Sequence, residues 1–523
     1  MRVLTPPPRG TIGTWMTVPS VAQLPPWSSG FVTFSSKLQS MALRSMTQTL
    51  QSSLVPVVPQ NAGVKILGIP IGTRAFVTGE TEAAVNKLQT CLDRLSLLGC
   101  TFTSFHILRS CLSSCKVLHL LRALPFDTGE LLARSTQQKL RDALAQILGA
   151  PASMQQWTLA CLPIRMGGLG FEDPEKIVAP AYVASFVASS VAVSESGLTP
   201  SPVSHEFLRA LSFLDVSSYT PSQELRGSVT LGLHFDPSLA SHALFKSWKS
   251  QHFWTDGVYD FTSHFLAETL PTRMRTLREL SSGAHAGMWL LSPTPTYPSA
   301  KWDSAVWQSL LRLRLGISQE LPSHCTACGC SQDPMGDHAL SCAATGIYAR
   351  HNYIRDTLAS ILCNLGFPCR TEVCLPGTDI VPADIFIPSI AEGSPTAVDV
   401  SVVHPLQPSH HATATVTAGT SAEARAASKV AFYSDKCSTR CWAFSAFVAE
   451  TTGAWSQAAQ RLVRKVSRAH SLRSGEDRAE TMSSIWCALS RALAQSVGKQ
   501  LVTARLHQDL NEATPSGVAP TPC

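Results

Sequence analysis

No aspartate or glutamate occurs between Met1 and Gly79, while Arg2, Arg9, Lys37, Arg44, Lys65 and Arg74 are all present. With a formal net charge of +6 over the chain, this asymmetry permits a polyanionic partner without requiring one. A secretory signal is also lacking at the start. The 16 cysteines therefore read as intracellular thiols and metal ligands in a reducing compartment, not as a disulfide framework. The Pro-rich opening is too poor in arginine for an organelle transit peptide and offers no cleavage boundary, so a start inside a larger ancestral protein is expected. Clean apolar runs of membrane-spanning length are missing too. The longest, "IVAPAYVASFVASSVAV" at 177 to 193, is interrupted by Pro180 and diluted by Ser and Ala, and is expected to be a buried helix. No internal repeat is visible.

What is present suits a soluble globular chain of roughly three domains, with 523 residues and 44% hydrophobic content. Residues 1 to 60 are Pro- and Ser-rich and receive no firm structure. From 61 to 190, "VKILGIPIG" reads as a strand closed by a turn at Gly72, followed by helical spacing through Leu88, Leu92, Leu95, Ile107, Leu108 and Leu112. "RMGGLG" at 165 to 170 marks a sharp turn. From 191 to 320, "SESGLTPSPVSHE" and "SSYTPSQELRG" indicate an irregular linker up to about 235. A helical stretch follows, with Trp302, Trp307, Leu310, Leu311 and Leu315 as its buried stripe.

The chemistry lies after residue 320. "CTACGCSQDPMGDHALSC" supplies Cys325 and Cys328, then His338 and Cys342, two close pairs of soft ligands suited to tetrahedral zinc. With four protein ligands such a site is closed and structural. The competing reading is a cysteine-rich loop with His338 merely hydrogen-bonded, and Cys330 competes with Cys328 as a ligand. The boundaries expected for this knuckle are 321 to 346.

Residues 347 to 452 then show the order helix, three strands, helix, strand. Ile354, Leu358, Ile361, Leu362 and Leu365 share a helical face, and Gly366 follows as a C-terminal cap. Strand-like runs sit near 371 to 375, 383 to 387 and 397 to 403. "SAEARAASKVAFYSDKC" is a helix with Ser421 as its N-cap, and "CWAFSAFVAE" is a last strand ending at Glu450. Asp384 and Asp399 fall inside otherwise uncharged strands, where an ionised carboxylate costs several kcal/mol unless a cation neutralises it. A shared magnesium ion, which selects hard oxygen ligands, would do so and suits phosphodiester hydrolysis. Arg425, Lys429 and Tyr433 line one face of the following helix, and Lys429 is the candidate for stabilising developing charge. Each of these residues taken alone reads more simply as solvated surface. Glu372 reads either as an auxiliary metal ligand or as an exposed acid. Arg350 and His351 suit phosphate contact or helix capping, and His404, His410 and His411 are expected to be solvated in their loop. Residues 453 to 523 are expected as C-terminal helices and a tail, where Arg461, Arg464, Lys465 and Arg468 form a basic face suited to a nucleic-acid backbone or simply to solvent.

The acid pair "PAD" and "VDV", the knuckle before it, "RHN" at 350 to 352 and "KVAFY" resemble the restriction-like PD-(D/E)xK endonuclease end of non-LTR retrotransposon proteins. The lysine that family places two residues after the second acid is replaced by Ser401, so the resemblance assigns its role to Lys429 and adds Tyr433. Upstream, "ILGIPIG", "LLRALP", "LPIRMGGLGF" and "APAYVASF" resemble the thumb that follows a reverse-transcriptase palm. The paired aspartates of a Y-x-D-D motif are lacking, and no polymerase activity is expected.

The resemblance implies an α/β nuclease domain of order αβββαβ, preceded by a mainly helical region and a zinc knuckle. It implies a magnesium-dependent DNA-nicking enzyme, truncated from its ancestor, nuclear or otherwise intracellular, with DNA as partner, RNA as an alternative, and no membrane. The rival readings are a non-catalytic nucleic-acid-binding remnant held by zinc and a decayed reading frame.

Overall fold

The computed structural model describes residues 63–198, 203–216, 229–230, 234–235, 246–291, 302–390, 393–406 and 417–512. The expected irregular segment 1–60, together with His410 and His411, lies outside the described residues.

The run expected to be a single strand is a hairpin, β1 (Val64–Ile66) and β2 (Ile69–Ile71), in register Val64↔Ile71. Leu67 at φ 52° and Gly68 at φ 85° are both left-handed, the conformation a two-residue hairpin turn requires. The turn thus falls at Leu67–Gly68, earlier than the expected Gly72. Helix α1 (Arg74–Ser96) follows, capped by the Thr73 hydroxyl, then α2 (Thr101–Cys111), α3 (Leu118–Leu121) and α4 (Phe126–Leu148), which stops at left-handed Gly149. A capping box of Ser153 and Gln156 starts α5 (Met154–Ala160).

The apolar run forms α6 (Pro174–Glu195), which is long and apolar enough to cross a membrane. Its Ile177, Val183 and Val187 are buried in a cluster with Leu121, Phe207 and Trp254. The expected linker contains a helix, α7 (His205–Val216), which buries Phe207, Leu211 and Leu214. Their helical spacing was present in the sequence but was flanked by Ser- and Pro-rich turns. A short hairpin of β3 (Val229–Thr230) and β4 (His234–Phe235) precedes α8 (Gln251–Thr269), α9 (Thr272–Ser281) and α10 (Ser304–Leu315). Trp307, Leu310, Leu311 and Leu315 of α10, with Trp302 just before it, are buried as their spacing predicts.

After the cysteine–histidine segment, which carries the short helix α11 (Asp337–Ser341), come α12 (Ile347–Asn364), β5 (Arg370–Val373), β6 (Ala383–Ile387), β7 (Thr396–Val403), α13 (Thr420–Ser438) and β8 (Ala443–Glu450). Two long helices, α14 (Gln457–Ser474) and α15 (Arg478–Glu512), end the described chain. The four strands form one mixed sheet in the order β5-β6-β7-β8. Its first two pairings are antiparallel, and β8 runs parallel to β7 after the α13 crossover.

The alternation of the strands splits the sheet into two faces. Ile385, Ile387, Val398, Val400, Phe447 and Ala449 join a core with Leu358 of α12, Val463 of α14 and Trp486 of α15. Trp307 and Leu310 of α10 belong to that same core, as do Phe105 and Leu144 of the N-terminal helices. The opposite face packs Ala446 and Val448 against Ala422 and Ala426 of α13. The architecture is therefore a mainly helical region joined to a small mixed α/β sheet through one continuous core.

Candidate functional site

The register of the sheet brings the two strand acids together. Ile385 pairs with Val398 and Phe386 with Ala397, and one further step of the same register sets Asp384 opposite Asp399. In place of continued backbone pairing, the Asp384 carboxylate accepts the Val400 N–H at 2.6 Å. Both acids stand on the face covered by α13 and line one open cleft of about 1100 Å³, together with His351, Glu372, Ser401, Arg425, Lys429 and Tyr433.

Each acid has its own basic partner. Lys429 donates to Asp399 at 2.9 Å, and Ser401 donates to the other oxygen of that carboxylate at 3.3 Å. His351 sits 3.4 Å from Asp384. Burial pushes the Asp399 carboxyl above its ordinary range, Lys429 draws it back, and the neighbouring Asp384 adds to the rise. Asp384 in turn raises His351, its hydrogen bond outweighing partial burial of the ring. Tyr433 lies beneath the Lys429 ammonium, 5.6 Å from ring centroid to nitrogen, and stacks near Phe444.

Glu372 reaches the cleft from β5 by way of a left-handed backbone, φ 52°, and is ion-paired with Arg355. Two carboxylates face one cleft on adjacent strands, and burial disfavours the ionised form of Asp399.

The position of Lys429 depends on a residue the sequence reading passed over. Glu450, at the end of β8 and fully buried, accepts the N–H groups of Ser421 and Ala422 at 3.0 and 3.3 Å. It thereby caps α13. Ser421 is not the N-cap: that position is Gly419, at φ 90° with no side chain to offer, and the carboxylate comes from 29 residues downstream. Burial raises the Glu450 carboxyl, and the backbone N–H groups oppose the rise. A strand-terminal glutamate in an apolar run was the available signal.

Of the remaining assignments, the one for His404 changes. Arg350 is only 3% exposed, and its guanidinium is committed to the Leu340 carbonyl at 3.1 Å and to Gln500 at 2.8 Å. Burial lowers its pKa to about 10. It ties α12 to α11 and α15, and it lines the same cleft as Asp384 and Asp399. His404 is buried, not solvated: it bonds Asp337 at 3.1 Å and Thr451 at 2.7 Å, and Asp337 also takes Arg273 at 2.6 Å. Arg461, Arg464, Lys465 and Arg468 are exposed on α14, but none of them lines the cleft, whereas Arg425 does.

The second site is a cluster of Cys325, Cys328, His338 and Cys342, whose ligand atoms all lie within 4.8 Å of one another. Tetrahedral zinc with bonds near 2.3 Å spaces its sulfur ligands about 3.8 Å apart, so the set is able to hold an ion such as zinc. The first pair sits on a tight turn in which Cys325 N–H bonds the Cys330 carbonyl and Gly329, at φ 73°, returns to Cys325. That turn leaves Cys330 outside the cluster and puts Cys328 in it. The second pair is carried by α11, whose first N–H groups are held by the Asp333 carboxylate, with His338 N at 2.7 Å. No protein-family model matches the chain, and no curated protein matches it.

Proposed function

We propose that this protein is a metal-dependent endonuclease that nicks DNA, built on a restriction-like nuclease domain and related to the C-terminal half of non-LTR retrotransposon proteins. The observation that carries the reading is the convergence of Asp384, Asp399 and Lys429 in one open cleft. Magnesium, held by the Asp384 and Asp399 carboxylates, would supply charge neutralisation at phosphate and a water of lowered pKa. Arg425 at the cleft lip binds a backbone phosphate. Lys429, paired with Asp399, places its ammonium where negative charge grows on the scissile phosphate. Tyr433 stands by that ammonium, its ring centroid 5.6 Å from the nitrogen.

The cysteine–histidine cluster, loaded with zinc, acts structurally in this reading and fixes α11 against the sheet through Asp337 and His404. DNA is the proposed partner, RNA the alternative, and a nuclear or otherwise intracellular setting follows from the target. Polymerase activity is not part of the proposal.

One observation favours the non-catalytic binding remnant: each acid already has a basic partner of its own, His351 for Asp384 and Lys429 for Asp399. A nicking assay on supercoiled plasmid with magnesium separates the two. Lys429→Ala is expected to slow nicking about 10²- to 10³-fold, the usual loss when one transition-state donor is removed, with near-normal DNA affinity. Equal rates for wild type and variant would assign any nicking to a contaminant and leave the binding reading.

A further inference from the structure

The cleft opens onto α13, and the outward side of that helix continues beyond the cleft with a regular pattern. Arg425, Lys429, Phe432, Lys436 and Arg440 follow one another at steps of four, three, four and four residues. The first four fall within about 60° of the circumference of α13, and Arg440 follows just past its end. Glu423 and Asp435, the acids of this segment, project from other sides. Phe432 is 58% exposed, an unusual place for a phenyl ring, and the Lys436 ammonium stands 3.3 Å over it. Neither Lys436 nor Arg440 has a carboxylate partner among the described residues. The stripe from Arg425 to Arg440 is about 22 Å long at 1.5 Å per residue, which is enough for several nucleotides.

We infer that this stripe is a track for a single nucleic-acid strand leaving the cleft, with Lys436 and Arg440 on successive phosphates and Phe432 stacked against a base. Charge alone would suit any polyanion, and the exposed ring is what selects an unpaired strand. A base offers its face to an aromatic ring only when it is free of the duplex stack, and such stacking tolerates any sequence. The inference deepens the nuclease reading and depends on it only for the strand's entry into the cleft. It makes the preferred substrate a strand already unpaired beside the scissile phosphate.

The test is binding of a fluorescein-labelled single-stranded DNA oligonucleotide, followed by anisotropy over a series of salt concentrations. It uses the full chain with zinc retained and magnesium left out, so that no cleavage enters the readout. Replacing both Lys436 and Arg440 by Ala is expected to weaken binding and to reduce the slope of log affinity against log salt by about 1.4, or ~0.7 per phosphate contact. Phe432→Ala is expected to weaken single-strand binding about tenfold and to leave the salt slope and duplex affinity unchanged, while Phe432→Trp restores it. Circular dichroism of each variant controls for folding. An unchanged slope in the double variant, or equal losses on duplex and single strand for Phe432→Ala, overturns the track. A protein that fails to nick plasmid but shows the expected losses refutes the nuclease reading and keeps the track.

Discussion

His351 and Asp384 form a pair in the cleft whose charge depends on the protonation of the imidazole. Because Asp384 raises the imidazole above its ordinary value of 6.5, the pair's stabilisation is fully present below pH 6.5 and is lost as pH climbs through the raised value. The ring is partly exposed, so the contribution is about 1 kcal/mol or less. Thermal melts of wild type and His351→Gln are therefore expected to differ most near pH 6 and to converge toward pH 8.5; a constant gap would remove the charge argument. Glu450 invites a second test at this scale. Glu450→Ala leaves the first N–H groups of α13 without their acceptor inside a packed site, at a cost of about 1–3 kcal/mol, and is expected to lower the melting temperature and slow nicking together. Glu450→Gln, which keeps an acceptor oxygen, is expected to recover part of both. Asp384 and Asp399 drew notice in the sequence because an ionised group in a strand is conspicuous, and Lys429 because it shares a helical face with Arg425 and Tyr433. The partners of Glu450, Arg350 and His404 did not, because they lie 28 or more, 10 to 150, and 47 to 67 residues away.

Among the elements, the strands β5 to β8 were readable from their alternation and bounding turns, and α12 from its apolar face. The start of α13 was not, since its cap is a side chain from another strand. The β1–β2 hairpin was missed because a turn through Leu67 needs a left-handed leucine, which the sequence does not advertise. The cluster of Cys325, Cys328, His338 and Cys342 makes an element-scale prediction. Purified protein is expected to carry about one zinc per chain, and a chelator is expected to abolish hydrogen-exchange protection in α11 first. Because Asp337 joins α11 to His404 beyond β7, and His404 in turn bonds Thr451 beyond β8, protection at those strand ends is expected to fall next. Metal analysis that finds none, or exchange unaffected by the chelator, contradicts the site.

At the scale of the molecule, the helical region and the sheet are less separable than the sequence implied. Apolar periodicity marks a buried face without saying what covers it. Here the inner face of the sheet is covered by α14 and α15 as well as α12, and the core continues through α10 into the N-terminal helices. A fragment of residues 347–452 would leave Val400, Phe447 and Ala449 without most of that cover. It is expected to be insoluble or to lack dispersed amide signals, whereas a well-folded fragment would make the domain autonomous. The central claim is that Asp384, Asp399 and Lys429 act together on a phosphodiester, and one measurement addresses it most directly. Zinc-loaded full-length protein is incubated with supercoiled plasmid and magnesium beside an Asp399→Asn variant purified in parallel. Open circles from the wild type, none from the variant, and similar DNA affinity for both are the expected result, since affinity comes mainly from basic contacts to phosphate. Nicking that persists in Asp399→Asn, or a wild type that binds DNA and never nicks it, would contradict the claim.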